Sequence, residues 1–214
     1  MAKINALIEK IANGKNPLFQ ELYGVNEVVL KEQANRYAAL MNEFQKVYGT
    51  DDVALFSSPG RTEIGGNHTD HNYGRVLAGA VNLDMIAVAA KNGTNTIRIK
   101  SVGYPEFQVD LSSLEIDPAQ FYTSSSLVKG ICARMKEKGF EIGGFDACID
   151  GRVPKGSGLS SSASFEVLIG AIVNHLFNHG KMSKVENAII GQWSENNFFG
   201  KPCGLMDQTA CSVG

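Results

Sequence analysis

A run of glycines and serines, Gly151-Arg152-Val153-Pro154-Lys155-Gly156-Ser157-Gly158-Leu159-Ser160-Ser161-Ser162-Ala163, leads without a break into a segment of helical periodicity. Phe165, Leu168, Ile169, Ile172, Val173, Leu176 and Phe177 recur at three- and four-residue steps, which predicts a long helix with a buried face. Glycines let backbone N–H groups approach an anion, the helix start adds unpaired N–H groups and a positive dipole end, and serines add hydroxyls. Pro154 fixes the entry and Ser160 to Ala163 fall in the first turn, so the stretch predicts a phosphate cradle and a nucleotide ligand. No Gly-Lys-Ser/Thr closes it, so this is not the Walker A pattern. A flexible loop before a core helix is the competing reading.

Two further segments carry chemistry. Ser58 to Gly74 packs Arg61, His68, Asp70, His71 and the amides of Asn67 and Asn72 between glycines, a density of hydrogen-bonding groups that suits a polyhydroxylated ligand. A solvated turn cluster is the plain alternative. Glu195 to Gln208 adds two more carboxylates, Glu195 and Asp207. Local signals place Glu195 near a helix end: Ser183-Lys184-Val185-Glu186 is a capping-box pattern, and Val185, Ala188, Ile189, Gln192 and Trp193 follow at helical steps.

Taken in order, the three segments resemble the signatures of the galactokinase branch of the GHMP kinases: the sugar signature at Arg61 to Gly74, the ATP loop at Pro154 to Ala163, and a Cys-Gly-Ile-Met-Asp-Gln segment at Cys203 to Gln208. The resemblance implies an α+β fold like the second domain of ribosomal protein S5, with residues 1–214 forming the N-terminal ATP- and sugar-binding domain. A C-terminal GHMP lobe is then expected outside this chain. It also implies ATP as co-substrate, Mg2+, and transfer of phosphate to the anomeric hydroxyl of galactose or a related sugar. Arg61 and Asp207 fall on the catalytic positions. Asn67, His68, Asp70, Gly204 and Asp207 fall on sugar-binding ones. Pro154, Gly156, Ser157, Gly158, Leu159, Ser160, Ser161 and Ser162 fall on the ATP loop, and Ser161 and Glu195 on the metal ligands. The sugar loop departs from the pattern: Asn67 stands where the family usually carries glutamate, Glu63 where it has asparagine, Gly65 where an aliphatic residue is usual, and His71 where tyrosine is usual.

That set suits phosphoryl transfer, which needs positioning and charge neutralisation more than covalent help. Arg61 supplies a cation near the transferred group, and Asp207 takes or orients the proton of the attacking hydroxyl. A sugar- and ATP-binding sensor without catalysis remains the alternative, favoured by the altered sugar loop. A kinase for a non-sugar alcohol is a third reading.

Composition narrows the rest. The net charge is −2 with basic residues dispersed, so no footprint for nucleic acid is present. No apolar run is long enough to span a bilayer and no leader pattern opens the chain, which predicts a soluble cytoplasmic protein. The four cysteines lack ligand spacing and read as reduced thiols. His179, beside Asn178 and Gly180, reads as a helix cap, and Trp193 as a core residue on the Val185–Ile189 stripe. An amphipathic helix is expected from Leu30 to Tyr48 and a second around Leu127 to Met135. Short strands are expected at Val53–Phe56, Val76–Leu83, Met85–Ala90, Thr96–Val102, Glu106–Leu111 and Phe145–Val153, with a hairpin turn at Gly93. Oligomeric state is left open.

Overall fold

The alternating strand residues of this chain have to bury two faces, and helices from different parts of the sequence cover them. A computed structural model describes residues 1–12 and 16–214. The elements are β1 (Ala2–Lys3), α1 (Ile4–Ala12), α2 (Pro17–Tyr23), α3 (Glu27–Tyr48), β2 (Asp52–Gly65), β3 (Leu77–Lys91), β4 (Thr96–Ser101), β5 (Phe107–Asp110), α4 (Ser124–Glu137), β6 (Phe145–Gly151), α5 (Ser161–Asn178), α6 (Lys184–Ser194) and α7 (Met206–Val213). The strands form one sheet in the order β1-β2-β3-β6-β4-β5. The β6–β4 pair is parallel and every other pair antiparallel, the mixed sheet of an α+β fold.

Ile86, Val88 and Ala90 of β3 and Cys148 of β6 face one core, closed by α1, α2 and α3 through Ile4, Phe19, Leu40, Met41 and Phe44. Ala87, Ala89, Ala147 and Ile149 face the other, where Leu168, Ile169 and Ile172 of α5 meet Val128, Ile131 and Met135 of α4. The period of two along each strand therefore feeds two cores at once. α5 is buried around most of its circumference, as its apolar composition demands. Caps set its neighbours: the Asn26 side chain accepts the Val28 and Val29 N–H groups at the start of α3, and Ser183 accepts that of Glu186 at the start of α6.

Four expectations change. Val76–Leu83 and Met85–Ala90 are one strand, β3, because both runs pair with β2. The Gly93 turn joins no hairpin: β6 lies between β3 and β4, bonding antiparallel to the first and parallel to the second. The Val53 strand continues through Gly65, so Arg61 stands on β2 instead of in a loop. Trp193 is half-buried, since α6 turns Ala188, Ile190, Gly191 and Ser194 inward and leaves Val185 and Ile189 53% and 38% exposed. Trp193 instead stacks under the Arg134 guanidinium, 5.0 Å from its centroid. His179 takes the expected left-handed cap at the end of α5.

One buried ion network ties α3 to the sheet. Arg36 donates through Nε to Asp150 Oδ2 at 2.6 Å and through Nη1 to Asp84 Oδ1 at 2.5 Å. Asp84 also accepts the hydroxyls of Tyr23 and Ser57 at 2.6 and 2.7 Å. Removing one partner of such a cluster leaves an uncompensated charge in low dielectric. Arg36→Ala should therefore cost about 3–5 kcal/mol in urea unfolding; a loss below about 1 kcal/mol, the scale of a surface ion pair, would contradict this account.

Candidate active site

Midway along β2 the pairing with β3 slips between Pro59 and Arg61, a bulge that re-aims the strand. Gly60 sits at the slip, where a Cβ would come within 2.8 Å of the Leu159 carbonyl oxygen and 3.0 Å of Val153. The missing side chain lets β2 lie directly on the glycine–serine loop, and the Arg61 N–H donates to the Leu159 carbonyl at 3.1 Å. The Arg61 guanidinium is thereby buried at the head of that loop. Its Nε donates to Asp207 Oδ1 at 2.7 Å and its Nη2 to Oδ2 at 2.6 Å, a two-point grip on a residue 146 positions away. Nη1 donates to the Gly158 carbonyl, and Nη2 lies 3.1 Å from His68 Nε2.

Asp207 occupies the first turn of α7, where the helix dipole favours a carboxylate. The Ser160 hydroxyl donates to its Oδ2. Asp70 serves the same helix end, its Oδ2 accepting the Met206 N–H at 2.9 Å. Gly204 is required there because a Cβ would run into the Asp70 carboxylate. His68 links the two acids, with Nδ1 3.4 Å from Asp70 Oδ1 and Nε2 3.6 Å from Asp207 Oδ1. Its Nε2 thus faces an Arg61 donor and its Nδ1 the Asp70 carboxylate. Asn67 stands apart: it is exposed in a left-handed conformation, and its side chain makes no hydrogen bond among the described residues. Glu63 works locally, accepting the His68 N–H at 2.8 Å and pinning the sugar loop to the end of β2.

The loop before α5 has the form of an anion cradle. Gly156 and Gly158 take φ of 72° and 76°, which only glycine adopts freely, and Ser160 follows at 55°. The Ser157 hydroxyl ties the loop to the Pro154 carbonyl at 2.8 Å. Ser160 makes no side-chain cap, and the first backbone bond into the helix runs from the Ser164 N–H to the Ser160 carbonyl at 3.1 Å. The N–H groups of Ser161, Ser162 and Ala163 precede it, the orphan donors a helix offers to an anion.

Glu195 closes the site from the opposite side. It begins a wide turn, Glu195–Phe199, that ends at left-handed Gly200, and it is buried. Oε2 points inward, accepting from Gln208 Nε2 at 2.8 Å and the Cys203 thiol at 3.2 Å. Oε1 meets the Ser162 hydroxyl and the Lys201 ammonium, each at 3.3 Å. The serine that meets Glu195 is therefore Ser162, whereas Ser161 makes no such bond among the described residues. The helix explains the choice, since Ser162 and Glu166, four apart, share the face turned to Glu195 and Gln208. Among the described residues no group of three or more histidine, cysteine or acidic side chains forms a metal centre. One carboxylate oxygen beside a hydroxyl is instead the hard, sparse donor set that Mg2+ accepts when phosphates and water complete its shell.

The sequence reading assigned nothing to Glu166. This residue is fully buried, accepts the Gln208 amide at 2.9 Å through Oε2, and leaves Oε1 without a partner among the described residues. The available signal was a lone acid inside the apolar face of a helix, one turn beyond Ser162. Burial, and then the nearby Glu195 carboxylate, hold the Glu166 carboxyl well above the usual range. A carboxyl raised on folding contributes stability below its unfolded pKa and withdraws it as pH climbs toward the folded value. Glu166→Gln removes that linkage. Its melting temperature relative to wild type should rise between about pH 5 and about pH 8; a difference that stays flat across that range would contradict the burial argument.

The matches to known proteins fall on these same segments. The galactokinase galactose-binding signature matches residues 42–91, and the GHMP kinases N terminal domain matches residues 126–214. The galactokinase of Clostridium tetani (strain Massachusetts / E88) is 38% identical over 175 residues, covering 82% of this chain and 44% of that protein. That of Streptococcus suis (strain 05ZYH33) is 37% identical over 179 residues, covering 82% and 45%. The crystal structure of Lactococcus lactis galactokinase complexed with galactose superposes with a TM-score of 0.75 at 35% identity, over 81% of this chain and 45% of that one. Methanococcus jannaschii mevalonate kinase, at 19% identity and a TM-score of 0.63, shares the fold. The chain spans a little under half the length of the curated relatives it matches. With its sugar signature, its phosphate loop and its Asp207 segment meeting at one point, the chain belongs to the galactokinase family of the GHMP kinases.

Proposed function

We propose that this chain is the nucleotide- and sugar-binding part of an ATP-dependent kinase that phosphorylates galactose or a related sugar at its anomeric hydroxyl. The observation that carries this reading is the convergence on Asp207: Arg61 from the sugar strand and Ser160 from the phosphate loop bond the same carboxylate. A phosphate seated on the N–H groups that open α5 and a hydroxyl seated on Asp207 are brought together with a guanidinium between them. Asp207 orients the attacking hydroxyl and accepts its proton, while Arg61 holds the carboxylate and neutralises charge beside the phosphates. An incoming hydroxyl competes with Ser160 for Asp207 Oδ2. His68 and Asp70 line the sugar side, with Gly204 giving backbone access. Asn67 supplies an amide donor and acceptor in place of a carboxylate, while the loop's carboxylate at Glu63 is engaged with the His68 N–H.

ATP is the co-substrate that the cradle of Pro154 to Ser162 fits. Mg2+ fits the oxygen pair of Glu195 and Ser162, with Ser161 alongside, and when bound would neutralise phosphate charge. No helix among the described residues is long and apolar enough to cross a membrane, in keeping with soluble small-molecule substrates.

The test is ATP turnover by the longest natural form of the protein across galactose, N-acetylgalactosamine, glucose, mannose and a no-sugar control, with the product phosphate located by NMR. Galactose-dependent formation of the 1-phosphate is expected, and Asp207→Asn should lower kcat about a hundred- to ten-thousandfold. Arg61→Ala should lose a comparable or smaller factor. Near wild-type rates for both variants would overturn the roles. Binding of sugar and nucleotide with no turnover would instead establish a sensor.

A further inference from the structure

The two carboxylate oxygens of Glu195 have different partners. Oε2 is held from within the fold by Gln208 Nε2 and Cys203, and Oε1 is the oxygen shared with Ser162 and Lys201. The Gln208 amide is completely buried and spends its Nε2 on two carboxylates, Glu166 at 2.9 Å and Glu195 at 2.8 Å. An amide flip would aim its oxygen at both, so Glu166 fixes the sense in which Gln208 grips Glu195. Packing holds the arrangement from a third side. Gly191 of α6 lies so close that a Cβ there would come within 3.3 Å of Gln208 Cγ, Glu166 Cβ and Glu166 Oε2. Three helices, α5, α6 and α7, thus converge on one amide.

We propose that Glu166 and Gln208 are positioning residues that lock the Glu195 carboxylate with Oε1 turned to the Ser162 hydroxyl, pre-setting the oxygen pair that receives a nucleotide-bound divalent cation. This rests on the metal role given to Glu195 above. Both side chains are fully buried. Their effect is on the rotamer and facing of a ligand, the kind of support whose loss weakens metal affinity while leaving the fold in place. Glutamine at 166 keeps an oxygen acceptor for Gln208 Nε2, so the conservative change preserves the lock.

Two readouts on the full chain separate the lock from the metal role. The first is side-chain NMR of Gln208. Slow solvent exchange of its amide protons is expected in wild type and Glu166→Gln, and fast exchange of at least one proton in Glu166→Ala. The second is the affinity ratio between the Mn2+-loaded and metal-free forms of a non-hydrolysable ATP analogue, followed by calorimetry and Mn2+ EPR. That ratio should fall about ten- to a hundredfold in Glu166→Ala and Gln208→Leu, and stay within about twofold of wild type in Glu166→Gln. Should Glu166→Ala fail to fold, Gln208→Leu and Glu166→Gln carry the comparison. Unchanged ratios in the disrupting variants, with wild type binding Mn2+–nucleotide, would overturn the proposal. Wild type that gains nothing from Mn2+ would overturn the metal role. In that case the NMR arm decides the lock alone: protected Gln208 protons uphold it and rapid exchange rejects it.

Discussion

The bidentate contact between Arg61 and Asp207 is the constraint on which the site is built. It joins the middle of the second strand to the first turn of the last helix, residues 146 apart, in a place where both charges are largely withheld from water. An ion pair so placed has to be compensated on every side, because desolvation of each partner costs several kcal/mol, on the order of what attraction returns. The compensation is visible: Gly158, His68 and Ser160 satisfy what the pair leaves over. Gly158 and Ser160 belong to the glycine–serine loop before α5, and His68 to the loop that follows β2. Satisfying the pair and assembling the site are therefore the same requirement, and the bulge at Gly60 is the backbone device that meets it.

Around that pair, two helix N-termini point at one small volume. α5 presents its opening N–H groups without a side-chain cap, while α7 has its first N–H taken by Asp70 and an acid of its own in the first turn. The two positive ends are thus treated oppositely. One is neutralised from within the chain, and the other carries no side-chain cap. Glu195, on the far side of Ser162, adds a buried carboxylate to the wall that faces this helix start.

Much of this was readable from the residues alone, and the parts that were not share a cause. The α5 periodicity, the glycines of the cradle and the Ser183 cap are local signals, and local geometry realises them as read. Arg61, His68, Asp70, Gly204 and Asp207 were named by motif, and the fold gathers them within hydrogen-bonding or packing reach of one another. Three features depend on tertiary pairings that no local pattern encodes. The length of β2 follows from pairing with β3, the burial of α6 from which face meets α5, and the pairing of Ser162 with Glu195 from how α5 and the Glu195 turn meet. A capping box says where a helix starts but not which way it faces, which is why Trp193 read as core. Glu166 was hidden for a related reason: its side-chain partner Gln208 lies 42 residues away.

The position of β6 bears on how such a chain acquires its shape. β3 pairs with β2 and β4 with β5, yet neither has its second neighbour until residues 145–151 exist to pass between them. The parallel pairing of β6 with β4 is a non-local contact, the kind that slows folding because loop entropy is lost before any bond repays it. Emerging from a ribosome, the earlier strands must wait with unpaired edges, a state exposed to aggregation. The strand that ends the wait runs straight into the glycine–serine loop, so sheet closure and placement of the phosphate cradle form a single event in the life of the chain.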